Sequence, residues 1–263
     1  MLPIILMTMR CFLRDRILFA LLGAAGLLLL LIPAMSSFSM RQVQELSITL
    51  SLSANSFLLL ILATLLGSAS VWGDIERRYT AGLLGLPLSR RSYLLGKFTG
   101  IAVFLLACCA ILAVAGLAVI AIAKSQYPAA SDPQWWVILL ASAMIGLKYV
   151  LLAAFAMFFS TLSTSFFLPI FGTLGVYFAG TASQEVFEYL NSDIAENLSP
   201  LVKSCAEAFY YILPNFSAFD LKVQAVYGLP LDAMSLLGTL LYFLAYLAVL
   251  LTLSVWLFER RDL

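Results

Sequence analysis

Apolar residues in this chain fall in long unbroken runs. The runs lie at about 17–36, 54–73, 98–123, 135–160, 166–182 and 233–258. Each is close to the ~20 residues that cross ~30 Å of hydrocarbon at ~1.5 Å per helical residue. A bilayer leaves backbone polar groups no water to bond, so such runs must be helical. The pattern predicts an all-α membrane protein with six transmembrane helices, and 1–263 reads as a single transmembrane domain.

The segments between the runs carry weaker patterns. In residues 1–16, Leu2, Ile5, Leu6, Met9, Phe12 and Leu13 recur at roughly helical spacing, with Arg10, Arg14 and Arg16 late in the stretch. That predicts an N-terminal interfacial helix. A cleaved leader is the competing reading, disfavoured by a long apolar run and a poor cleavage site at Ala34-Met35-Ser36. Residues 37–53 are polar, and Leu46, Ile48, Leu50 and Leu52 alternate with polar positions. Both an extended segment and an amphipathic lead into the second span fit them. Trp135-Trp136 stands where an aromatic belt would sit, a tight turn is expected near 160–165, and Pro169 is expected to kink the fifth span. Residues 183–232 are the only long hydrophilic excursion. The apolar spacing in EVFEYL and LVKSCAEAFYYIL predicts two short helices on the outer surface.

Composition confirms the class: 63% of residues are hydrophobic and 11% charged, with a mean hydropathy of +1.02. Placement of charge sets the topology. Of fifteen Lys and Arg, ten fall in 1–16, 74–97 and 259–263, whereas Arg41, Lys124, Lys203 and Lys222 lie on the other side. The positive-inside rule puts both termini and 74–97 in the cytoplasm, and 183–232 outside, where it offers a surface to an extracytoplasmic partner. The expected location is a bacterial inner (plasma) membrane, multi-pass, with membrane lipid as a neighbour and no nucleic-acid partner.

Chemistry is sparse. Without histidine, imidazole catalysis and histidine-ligated metals are excluded. Cys11, Cys108, Cys109 and Cys205 make no disulfide framework. The nearest approach to a phosphate loop, Gly96-Lys97, continues with Phe98 and has Arg91 where the first glycine belongs. The chain is read as non-catalytic, holding no cofactor or metal of its own, so any nucleotide chemistry must come from another chain.

The densest charge pattern is Asp74 to Lys97, with five basic residues in 24 positions between two spans. Asp74 is suited to cap a short helix, with Glu76 near its positive end. That helix would show Leu83, Leu84 and Leu86 and stop at Pro87. Ser89 would cap the next helix, running through Arg90 and Arg91 into the third span. Two readings stand: a basic loop on anionic headgroups, and an apolar knob docking into a cytoplasmic partner.

Glu76, Thr80, Leu83, Leu84, Pro87, Ser89, Arg90, Tyr93, Leu94, Leu95, Gly96, Lys97 and Gly100 form a pattern that resembles permeases of ATP-binding-cassette exporters of the second (ABC-2) type. The resemblance extends to the interfacial helix, the six spans, the excursion before the last span and the tail at 258–263. It looks closest to permeases associated with copper-enzyme maturation loci. It implies a permease subunit, an exporter working by alternating access, with a cytoplasmic coupling helix between spans 2 and 3. It also implies two copies of a separate ABC ATPase, which binds the ATP and Mg, and a second permease, identical or homologous. Carried over residue by residue, the ATPase-coupling positions are Glu76, Arg77, Arg78, Thr80, Leu83, Leu84, Leu86, Pro87 and Arg90. The chain departs from the pattern at Tyr79-Thr80-Ala81, where many members have a Gly-Thr step.

Lys148 lies near the middle of the fourth span, where a lysine costs at least ~2.5 kcal/mol, and no span contains an acidic residue. It bonds carbonyls or hydroxyls, lines a pathway for a polar or anionic substrate, or snorkels to the interface. The glycine pairs 23/26, 96/100 and 172/175 suggest close helix packing. A non-transporting scaffold or passive channel that recruits a partner through 74–97 is the alternative to a transport permease.

Overall fold

The computed structural model describes residues 2–37, 42–76, 89–126, 132–163, 165–190, 203, 210 and 213–260. Their principal helices are α1 (Leu2–Phe12), α2 (Arg16–Ser37), α3 (Val43–Glu76), α4 (Arg90–Gln126), α5 (Trp135–Leu162), α6 (Phe167–Leu190), α7 (Lys222–Tyr227) and α8 (Ala233–Arg260). A 3-10 turn at Ser217–Phe219 precedes α7. No strand occurs among the described residues. The long helices run alternately between a basal end, which carries α1 and residues 74, 90 and 260, and a distal end, which carries Trp135 and Gly228.

Helices α2, α3, α4, α5 and α8 are long and apolar enough to cross a membrane. Six were expected. The remaining candidate, α6, is 24 residues, about 36 Å long, and begins where the fifth span was predicted. Its glycines, threonines and Pro169 dilute its apolarity. Pro169 lies in its first turn, where no intrahelical N–H is needed, so the expected kink has no cause there.

Residues 43–53 are helical, which selects the second of the two readings. Ser47 donates to the Val43 carbonyl at 2.7 Å and Thr49 to the Glu45 carbonyl at 2.9 Å. Hydroxyls that return their hydrogen bonds to the preceding turn allow an alternating polar sequence to stay helical. The helix that results, α3, is 34 residues, about 51 Å, and outreaches the hydrocarbon core. The expected turn after α5 is present, with Ser165 N–H donating to Ser163 Oγ at 2.9 Å.

Helix α5 is the hub. It packs on α3, α4, α6 and α8, and 78% of its most apolar stretch is buried, against 22% for α2 and 17% for α8. Glycines permit close approaches, the tightest between these helices being Gly67 of α3 against Ala156 of α5. Gly96 and Gly100 on α4 receive Ile4 and Thr8 of α1, where a Cβ would come within 3.3 Å and 3.0 Å of those side chains. Gly172 lies against the Phe159 ring, whereas Gly23, Gly26 and Gly175 meet nothing within 4 Å. Those three do not serve packing within the chain.

EVFEYL is helical as expected, but as the continuation of α6 rather than as a separate helix. Most of LVKSCAEAFYYIL falls outside the described residues. The chain then does something the pattern did not predict: 213–227 turns into the bundle instead of lying on it. Phe216 and Phe219 are fully buried. Phe216 sits against Phe155 and Tyr177, and Phe219 against Phe243.

Candidate functional site

The basal site gathers the two ends of the 77–88 segment. Ser89 caps α4 as expected, its Oγ accepting from the Ser92 N–H at 3.2 Å. That starts a helix whose first turns present Arg90, Arg91, Tyr93 and Lys97. Asp74 was expected to cap a new helix, but it lies in the last turn of α3. There Lys97 Nζ donates to its carboxylate and to the Ser70 carbonyl, and Tyr93 Oη donates to the same carboxylate. Lys97 retains only 8% exposure, and its ammonium lies 5.6 Å from the Tyr93 ring centroid. An acid that neutralises a buried lysine is better placed there than capping a helix in water.

The same turn of α4 holds the end of α8. Arg90 donates to the Glu259 carbonyl at 3.1 Å and to that of Phe258 at 3.5 Å, satisfying carbonyls that a helix C-terminus leaves open. Arg91 meets Glu259 through two bonds, at 2.6 and 3.3 Å, and Tyr93 stacks on Phe258 with ring centroids 5.8 Å apart. The ends of α3, α4 and α8 thus form one clamp around the base of 77–88. Of the predicted coupling residues, Arg90 is in this clamp and Glu76 ends α3. Arg77, Arg78, Thr80, Leu83, Leu84, Leu86 and Pro87 lie outside the described residues. Asp74, Tyr93 and Lys97 were not singled out as site residues. The signal that could have found them is the acid at the end of one apolar run and the lysine at the start of the next.

The second site lies at mid-length of the bundle around Lys148, 5% exposed. Its ammonium sits 5.8 Å from the Tyr149 ring centroid and 5.3 Å from that of Tyr177. Tyr149 Oη is 2.6 Å from Ser56 Oγ on α3 and 3.4 Å from Tyr177 Oη on α6. One hydroxyl chain therefore joins α3, α5 and α6 beside the charge. Aromatic faces attract a cation without neutralising it. Asp220 is exposed and pairs with Lys222 at 3.5 Å, and no ion pair to Lys148 occurs among the described residues. Lys148 is too buried within the chain to snorkel, and two tyrosine rings lie beside it where carbonyls or hydroxyls were the expected partners.

The 213–227 segment is built inward. Phe216 N–H donates to the Gly180 carbonyl at 3.2 Å, and Ser217 Oγ to the Thr181 carbonyl at 3.1 Å. Asn215 N–H donates to Tyr242 Oη at 2.8 Å, and its Nδ2 to Gln184 Oε1 at 2.7 Å. Gly180 has no Cβ, and one there would strike the Pro214 carbonyl and the Phe216 ring. Asp220, two residues before Lys222, accepts from the Lys222 N–H at 3.1 Å at the entry to α7.

The first site ties three helix ends together and the second buries a cation, and no nucleophile–base pair occurs among the described residues of either. Compared with known proteins, residues 8–263 match the model of a family described as ABC-2 family transporter protein. No curated protein matches the chain.

Proposed function

From the premise that the chain belongs to the ABC-2 transporter family, whose members are membrane-embedded transport permeases, we propose that it is an exporter subunit moved by a separate cytoplasmic ATPase. Two copies of that ATPase bind the ATP and Mg, and two permeases, identical or homologous, assemble with them. Each permease contributes six spans, with α6 as the fifth, and both termini lie on the cytoplasmic side of a bacterial inner membrane. Alternating access then carries the substrate outward. The proposal treats 1–263 as one transmembrane domain, with 183–232 facing the outside.

The observation that carries this reading is the basal clamp. A push on 77–88 is delivered at once to α3 through Asp74, to α4 through Lys97 and Tyr93, and to α8 through Arg90 and Arg91. That is the mechanical requirement of a coupling helix. In this reading Leu83, Leu84 and Leu86 are the docking knob, Pro87 ends it, and Glu76, Arg77, Arg78, Thr80 and Arg90 flank the contact. The sequence motif and the placement of basic residues support the same orientation. Lys148 lines the pathway at mid-length, attracting an anionic or polar substrate.

The test is co-purification with the ATPase encoded beside it. Leu83→Asp with Leu84→Asp should abolish capture while the permease still reaches the membrane. Undiminished capture would overturn the docking assignment. A chain that captures the ATPase without stimulating it in the presence of any exported substrate would favour the scaffold instead.

A further inference from the structure

Two hollows adjoin along α1. One, about 510 Å³, lies between α1, α3 and α4, walled by Ile4, Phe12, Ala69 and Trp72 and closed by Tyr93 and Lys97. The other, about 460 Å³, is rimmed by Arg10 and Arg14. Met7 and Cys11 line both. The first volume is of the size that holds a small molecule or part of a larger one. Its apolar wall ends at a clamp whose charges already neutralise one another, so it offers no free charge to a soluble ion. The second has two exposed guanidinium groups, Arg10 in the last turn of α1 and Arg14 just past its end. Leu6 and Met7 stand exposed on the same short helix, and Leu13 in the turn that follows it. Such a helix lies in a membrane interface with its apolar side at acyl depth.

We propose that these hollows together bind one anionic phospholipid from the leaflet that α1 lies against. The headgroup phosphate sits between Arg10 and Arg14, and an acyl chain enters between α1 and the α3–α4 wall. The charge pattern selects the occupant. Residues 1–16 carry three arginines against the single acid Asp15, which also lines the first hollow and is engaged within the chain. Guanidinium groups bind phosphate oxygens by paired hydrogen bonds and favour anionic headgroups over zwitterionic ones. The acyl chain would then touch Trp72 and Ala69 beside the Asp74–Lys97 pair, placing a lipid against the clamp. This site stands independently of the transport reading, since it needs only α1 docked on α4 through Gly96 and Gly100.

The full-length chain, delipidated in mild detergent and mixed with vesicles of equal parts phosphatidylglycerol and phosphatidylcholine, is read by native mass spectrometry for retained lipid. Phosphatidylglycerol should be retained on the order of tenfold over phosphatidylcholine. Arg10→Gln with Arg14→Gln should erase that preference while leaving some lipid of both kinds bound. Ala69→Trp, at an exposed position that faces the first hollow, should remove tightly retained lipid of either kind. Cys11→Trp closes the same space from the other side if the first variant melts early. Equal retention of both lipids by the parent, a preference that survives loss of both arginines, or full retention in both tryptophan variants overturns the proposal.

Discussion

The molecule buries two lysines, and it treats them in opposite ways. Lys97 and Lys148 are almost equally hidden, at 8% and 5% exposure. Lys97 is saturated: a carboxylate, a carbonyl and a tyrosine oxygen surround its ammonium. Lys148 rests on two aromatic faces and forms no ion pair among the described residues. A buried pair with all donors used is a structural joint, whereas a buried cation with donors to spare is a place for something to bind. On the proposal that Lys148 lines the pathway, the difference separates the parts of this chain that hold from the part that handles a substrate.

The largest effect should come from breaking the joint. Asp74→Ala leaves Lys97 buried beside a carbonyl with its charge uncompensated, a change that costs about 3 kcal/mol or more. Thermal unfolding in detergent should show a clear loss, and adding Lys97→Met to the same chain should recover most of it. If Asp74→Ala melts like the parent, the ion pair is not what fastens α3 to α4. Next comes the inward segment. Gly180→Val puts side-chain atoms where the Pro214 carbonyl and Phe216 ring now lie, at about 1–3 kcal/mol. The measurable sign is easier proteolysis at 213–227. Unchanged protease resistance would mean that the segment is held without Phe216.

Lys148 tests the other half of the contrast. Lys148→Met removes a charge without orphaning a bonded acid, so melting should stay within about 1 kcal/mol of the parent or rise. Substrate-stimulated ATP hydrolysis by the assembled complex should nevertheless fall. Loss of stability as large as that of Asp74→Ala would make Lys148 a second joint. Normal hydrolysis at normal expression would remove it from the pathway.

Much of this architecture was legible in the apolar runs, because a bilayer permits so few backbone solutions. The helices α2, α4, α5 and α8 fall close to their predicted ranges, as does the Ser89 cap. What escaped was pairing across the chain. Asp74 read locally is a good helix cap, and only its partner, 23 positions away, makes it the last acid of α3 instead. Residues 43–53 alternate like a strand when side-chain hydroxyls are counted as needing outside partners, and read as helix once they bond their own backbone. Phe216 and Phe219 looked like part of a surface excursion. Their burial follows from Gly180 and Asn215, whose contacts depend on where α6 and α8 stand.

The smallest effect belongs to the outermost layer of the clamp, and it bears most directly on how force travels. Arg91 is 69% exposed and its bond to Glu259 lies in solvent, so Arg91→Gln should leave the melting temperature close to that of the parent. Arg90 beside it binds the carbonyls at the end of α8, and Tyr93 stacks on Phe258. These contacts keep α4 and α8 together without Arg91. If α8 follows the coupling segment through Arg90 and Tyr93, Arg91→Gln leaves stimulated ATP hydrolysis near its parental rate even at low salt, where ion pairs count most. A marked fall in that rate at unchanged stability would move the linkage from the buried face of the clamp to its exposed ion pair. The two lysines would then no longer mark the boundary between what holds and what moves.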